Sequence, residues 1–356
     1  MHKSFSFKTV LVALSYCFIL SLPVSAQQTE KWMEDKSARL GRADQYAETL
    51  VHPEKKAAPK AAEKKRWKVF GKVGTEFDSN VPLVSEHKSF RPGHSATHAF
   101  RFPLKAGLAY DWYRSQKTRA GISYAYSYSP HTGELQSFNF QNHEPSLYVN
   151  RAMTAWGRPA QLGARYTFSH DLLNAESYSS NNFLSGTWTG EWADNLLLTV
   201  YERLGTTIFR NKGFDKSISS EDGLYLQTGL IQTFLFDKRK RSLSAGYEFG
   251  NDSTRGRNFD ALHNGARLKL KSPLVEKITG EVTFFFQDSY YQNFAVKPKR
   301  HDQHFQYEFR LSRPLNQNIT VSTYYRRIDV ENPHEGTLGQ YSYNRNIGGI
   351  EFTYAY

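Results

Sequence analysis

The sequence predicts an all-β fold: a single transmembrane antiparallel β-barrel of about fourteen strands behind a short helical or disordered N-terminal extension. Three observations predict it: a polar chain rich in rings, apolar residues at every second position, and connections that alternate between tight and long. The 356 residues include 25 Phe, 22 Tyr and 6 Trp, yet only 39% of the chain is hydrophobic. A sheet with one oily face and one wet face needs such a mixture. So many rings also exclude disorder of the whole chain. Outside the first 26 residues, no apolar run approaches the roughly 20 residues of a spanning helix, which excludes a helical membrane protein.

Residues 1–26 read as a cleaved secretory signal. Lys3 and Lys8 give a basic start, Val10 to Leu20 is the apolar stretch, and Val24-Ser25-Ala26 matches the small-x-small cleavage pattern. The only cysteine, Cys17, lies inside it, so the mature chain is expected to hold no disulfide, thiolate metal site or catalytic cysteine. Loss of Lys3 and Lys8 takes the formal charge from +12 to +10. In residues 27–65, Met33, Leu40, Ala43, Ala47 and Leu50 recur at helical steps until His52-Pro53, and a Lys/Ala/Glu/Pro linker follows. This segment reads either as a solvated spacer or as a plug or contact for a periplasmic partner. The barrel takes residues 66–356.

From Arg66 onward the period is two. Phe305, Tyr307, Phe309 and Leu311 interleave with His304, Gln306, Glu308 and Arg310. Phe100, Phe102, Leu104, Ala106, Leu108 and Tyr110 do the same against Arg101 and Lys105, and Ile122, Tyr124 and Tyr126 against Ser123 and Ala125. A helix loses such a register within two turns, whereas a strand keeps it because successive side chains point to opposite faces. The runs last longer than the usual 5 or 6 residues of a soluble strand. They suit tilted strands that cross a bilayer in roughly 9–11 residues and project beyond it. Rings gather near run ends, as at Tyr110, Trp112 and Tyr113 or Trp188 and Trp192, where an aromatic girdle belongs.

Tight polar joints are expected at Ser115-Gln116, Trp156-Gly157-Arg158, Ala193-Asp194, Asp237-Lys238-Arg239, Val275-Glu276 and Asn316-Gln317. Longer links are expected at about 79–97, 129–136, 170–181, 206–222, 251–260, 293–302 and 332–341. Thirteen connections make fourteen strands, an even number, with alternation poorest in the fourth (Leu147–Met153) and the seventh (Leu196–Tyr201). Short turns on one side and long loops on the other are the layout of outer-membrane barrels.

The chain ends Gly349-Ile350-Glu351-Phe352-Thr353-Tyr354-Ala355-Tyr356, which resembles the terminal signal read by the barrel-assembly machinery of Gram-negative outer-membrane proteins. The first strand, Gly74-Thr75-Glu76-Phe77-Asp78-Ser79-Asn80-Val81, is similar to the opening strand of porin-like barrels, including the C-terminal barrel of surface lipoprotein assembly modifiers. Those modifiers also carry a helical-repeat periplasmic domain, which the residues before Arg66 are too few to supply. The resemblance implies an outer-membrane location, contact with lipopolysaccharide, and a porin-like channel for passive passage of small solutes. The alternative it implies is an export or assembly component for surface lipoprotein or polysaccharide, with residues 27–65 as plug or partner-binding element.

Fourteen strands imply a wet lumen. With the large apolar sets facing lipid, the opposite parity places Arg101, Lys105, Arg165, Arg267, Lys269, Lys271, Arg310 and Arg326 inside with Asp111, Glu248, Glu281, Glu308 and Glu351. Eight bases against five acids predict a weak anion preference, with Arg267, Lys269 and Lys271 as the leading selectivity stripe. The alternative is that these charges pair across neighbouring strands. Arg210, Lys212, Lys216, Arg255, Arg257, Lys297, Lys299 and Arg300 fall in long loops, where bases would meet glycolipid phosphates. Bases and rings alternate on opposite faces, which argues against nucleic acid as a partner. His94-Ser95, His98 and His170-Asp171 form no hydrolase signature, and His94-x-x-x-His98 and His301-x-x-His304 have no helix to hold either pair on one face. Neither a cofactor nor enzymatic activity is expected.

Overall fold

The computed structural model describes residues 66–81, 97–210, 220–275, 277–295, 297–333 and 342–356. The signal peptide, the N-terminal extension, His94, Lys212, Lys216 and Glu276 lie outside the described residues. The strands are β1 (Trp67–Asp78), β2 (Ala99–Arg101), β3 (Leu104–Arg114), β4 (Thr118–Ser129), β5 (Phe140–Ala155), β6 (Arg158–Leu173), β7 (Glu176–Ala193), β8 (Leu196–Phe209) and β9 (Gly223–Phe236). They continue as β10 (Arg241–Thr254), β11 (Ala261–Val275), β12 (Ile278–Tyr290), β13 (His301–Pro314), β14 (Ile319–Glu331) and β15 (Tyr343–Ala355). Both β2 and β3 pair with β1, so they are one stave interrupted at Phe102-Pro103, where proline has no amide to give the ladder. The result is fourteen staves, each antiparallel to the next in chain order.

The wall closes where β1 meets β15, from Phe70 opposite Ala355 to Asp78 opposite Ile347. Closure leaves no open sheet edge, the condition for strands to cross lipid. Alternation then sorts the side chains. Val73, Leu147, Leu184, Leu230, Leu268, Phe309 and Ile350 face outward and exposed, while their neighbours in sequence turn into the lumen. Towards the rim where β1 begins and β15 ends, Trp67 stacks on Tyr110 and Trp156 packs edge-on against Trp188. Nearer the opposite rim, outward tyrosines donate to the next strand: Tyr166 to Asn182 and Tyr325 to Asn346 at 2.7 Å, and Tyr247 to Asn264 at 2.6 Å. An oily belt with a ring of amphipathic aromatics at each border is the surface of a membrane-spanning barrel.

The fourth and seventh staves, weakly patterned in sequence, are long and regular as β5 and β8. The expected link at 170–181 is instead a two-residue hairpin between β6 and β7, turning at Asn174 (φ 51°) and Ala175 (φ 65°). Positive φ at both positions is the turn that matches strand twist. The polar run that resembled a loop is strand: Asp171 accepts from Ser179 at 2.6 Å, from Asn181 at 2.8 Å and from Asn142 at 2.6 Å. The link after β4 folds inward as a short 3-10 turn, Gly133–Phe138, burying Leu135 against Val81, Ala99 and Phe138.

One outward position breaks the pattern. Glu202 sits midway along β8 between outward-facing Gly186 and Thr228, and among the described residues it makes no hydrogen bond or ion pair. A carboxyl facing lipid weakens a barrel. Glu202→Leu is expected to stabilise the barrel by about 1 kcal/mol in urea unfolding from lipid vesicles, and an unchanged or lower midpoint would contradict lipid exposure at this site.

Candidate functional site

The lumen has two unlike halves. On the side of β1 and β11–β15 it is filled by ion pairs. Arg101 and the Tyr324 hydroxyl both meet Glu76, Lys72 and Arg310 share Glu351, and Arg310 and Arg326 share Glu308 at 3.0 and 2.7 Å. Lys269 pairs with Glu281 at 3.1 Å. The stripe Arg267, Lys269 and Lys271 does face inward, but on this packed side, with Lys271 opposite Glu281 on β12. Above it, Arg345 Nε donates to Asp78 at 2.9 Å, both side chains buried.

On the side of β3–β9 the lumen is open, enclosing a cavity of about 630 Å³. Six bases contribute to its lining, Lys68, Lys105, Lys117, Arg119, Arg165 and Arg203, against the acids Asp111, Glu144 and Glu202, and alternation turns Glu202 away from the lumen. Of the bases expected to line the pore, Lys105 and Arg165 reach this cavity; Arg101, Arg310 and Arg326 lie in ion pairs across from it. Lys68, Arg119 and Arg203 were not among the expected lining residues. Strict alternation along β1, β4 and β8 is the signal that finds them, since each has the parity opposite to the exposed apolar set.

Rings join the bases. The Tyr148 hydroxyl donates to Asp111 at 2.6 Å, Asp111 also pairs with Arg114 at 3.2 Å, and the Arg165 guanidinium lies over the Tyr148 ring at 5.4 Å. Gly121, opposite Tyr148, is required there, because a Cβ would collide with the Tyr110 carbonyl as well as with the phenol. Deeper in, Arg203 lies 3.8 Å over Phe183, whose ring fills the space left by Gly205. Beyond this pair a second cavity of about 50 Å³ continues past Glu248, Asp252, His263 and Gln287, sharing Phe183, Arg203 and Gln227 with the first. Arg203, Phe183 and Gln227 therefore line both.

The rim opposite the termini is packed. Arg300 was expected to be a glycolipid-contacting loop base; instead it is buried, bound through Nε and Nη2 to Asp302 at 2.5–3.0 Å and lying 4.3 Å over Tyr291. Asp302 fixes it there because a desolvated guanidinium needs its counter-charge. Burial holds the Tyr291 phenol well above its ordinary range, despite the nearby Arg300 charge. Lys299 turns its ammonium to the Phe294 carbonyl at 2.7 Å, whereas Arg210 and Arg257 remain exposed and Arg255 and Lys297 also keep to the loops.

Asp252, His263 and Ser289 are joined at 2.7 and 2.8 Å, the spacing of a hydrolytic trio. The Ser289 hydroxyl is buried and also accepts from Gln287 at 2.8 Å, so the trio staples β10, β11 and β12 together. His301 bonds Asp288 on the outer parity while His304 meets inward Phe285 edge-on, so the two histidines point to opposite faces. Among the described residues no cluster has the makings of a metal site.

No protein-family model matches the chain, and no curated protein matches it in sequence. Solved structures overlap it along the barrel. The outer membrane channel DcaP of Acinetobacter baumannii superposes with a TM-score of 0.49 at 9% identity, covering 83% of this chain and 100% of that one. OccAB3 of the same organism gives 0.44 at 10% identity, covering 82% and 99%. OmpT, an outer membrane protein of Vibrio cholerae, gives 0.44 at 8%, also covering 82% and 99%. Overlap of this degree transfers neither solute nor site, so the lumen's own side chains carry the functional reading.

The packed half predicts a stability effect that leaves the cavity intact. Glu308→Gln removes the shared counter-charge of Arg310 and Arg326 and is expected to cost about 2 kcal/mol in urea unfolding, the partly wet Arg326 moderating the loss.

Proposed function

We propose that the chain is an outer-membrane, porin-like channel for passive passage of small solutes with a weak anion preference. One observation carries the reading: a closed, apolar-clad barrel encloses a cavity of about 630 Å³ whose charged lining residues are mostly basic. A low-dielectric wall around like charges concentrates counter-ions and repels co-ions. In this reading selectivity belongs to Lys68, Lys105, Arg119 and Arg165 on the open side rather than to the β11 stripe, whose Lys269 already has Glu281. The smaller cavity past Arg203 and Phe183, about 50 Å³, argues for small solutes and a low unitary conductance. The rim of the termini faces the periplasm, and Arg210, Arg255 and Arg257 at the other rim meet lipopolysaccharide phosphates.

The test is single-channel recording of the refolded barrel in a planar bilayer under a potassium chloride gradient. Steady openings with a reversal potential of anion sign are expected, and Lys68→Glu with Arg119→Glu should move that potential towards cations. A folded barrel without openings sinks passive passage. A reversal potential unmoved by the double substitution removes these residues from selectivity.

A further inference from the structure

The turn between β9 and β10 lies on the rim where β1 begins and β15 ends. Asp237, Lys238 and Arg239 all take positive φ there, 51°, 54° and 68°, and the Lys240 amide donates to the Asp237 carbonyl at 3.0 Å. Glycine adopts such a backbone freely, whereas lysine and arginine do so under strain. Yet Lys238, Arg239, Lys240 and Arg241 follow one another, and no other turn on this rim carries two bases in succession. A strained backbone that presents charge calls for a compensating gain. We infer that this turn binds the headgroup of an anionic diacyl phospholipid in the leaflet it borders. The inference rests on the membrane placement proposed above and not on solute passage.

The four bases are not equivalent. Arg239 pairs with Glu191, which also accepts from the Asn195 amide at 3.2 Å and so ties this turn to the one after β7. Arg241 meets Asp237 at 3.6 Å with both side chains about half in water, so that pair holds weakly. Lys238 and Lys240 are exposed and meet no carboxylate among the described residues. On the membrane side of them lie outward and exposed Phe234, Phe236 and Trp192, whose indole donates to Gln232 at 2.9 Å. Rings at the border of the oily belt, with surplus bases just beyond them, match the two ends of a lipid. The rings line the acyl chains, and Lys238, Lys240 and Arg241 take the phosphate. These three bases against Asp237 leave more positive charge than one phosphate cancels. That balance favours phosphatidylglycerol over phosphatidylcholine, whose choline would meet like charge.

The test refolds the full chain into vesicles of phosphatidylcholine with a minor share of phosphatidylglycerol, extracts it in mild detergent, and reads the retained lipid by native mass spectrometry. Phosphatidylglycerol is expected to stay bound in preference to phosphatidylcholine. Lys238→Gln with Lys240→Gln should lower its retention about tenfold. Arg313→Gln, at an exposed base near the end of β13, should not. Lys238→Gly separates binding from folding: it relieves the turn, so the urea midpoint should hold or rise while retention falls. Equal retention of the two lipids, unchanged retention in the Lys238 variants, equal loss in Arg313→Gln, or release by free glycerol phosphate overturns the site. Retention is read without current, so a silent barrel that keeps phosphatidylglycerol supports the site and refutes passage. One that conducts but keeps neither lipid does the reverse. A chain that stays out of the vesicles refutes the membrane placement and the site with it.

Discussion

A hydrocarbon slab holds no water to satisfy a stray amide, and the ladder between β1 and β15 is what meets that demand. Without it Trp67–Asp78 and Tyr343–Ala355 would present two unpaired edges to lipid. Once the seam is closed, every residue has only two destinations, lipid or lumen. The chain's polar average and its abundance of rings then cease to conflict: the rings clothe the outside and the charges fill the inside.

The charges inside do not serve one purpose. Across β1 and β11–β15 they neutralise one another, with Glu308 and Glu351 each serving two bases. That half acts as a wall filling, rigid because each partner would be costly to leave alone. Across β3–β9 the bases outnumber the acids, and an aromatic face supports each of Arg165 and Arg203. Cation–π support costs a guanidinium less of its hydrogen-bonding capacity than an ion pair does.

The period-two pattern made the fold legible, and it failed only where both faces are polar. His170 to Asn181 reads as loop because no apolar set alternates there, yet Asn174-Ala175 turns tightly and Asp171 gathers four donors. Arg165, Lys269 and Arg310 lie on the lumen side. What parity cannot show is which inward charge meets which partner. Lys269 and Arg165 look alike in sequence, and only the register puts Glu281 beside the first and Tyr148 beside the second. Arg300 was misplaced for a related reason: Asp302, two residues on, supplies the counter-charge that draws it out of solvent.

The hairpin between β6 and β7 joins two of the longest staves, of 16 and 18 residues. At about 3.3 Å per residue and a tilt near 40°, the longer one rises about 45 Å, against a lipid belt about 25 Å tall. The two strands therefore stand clear of the membrane as a stiff post with no slack at its tip. A peptide grafted between Asn174 and Ala175 would be displayed at a fixed height above the lipid.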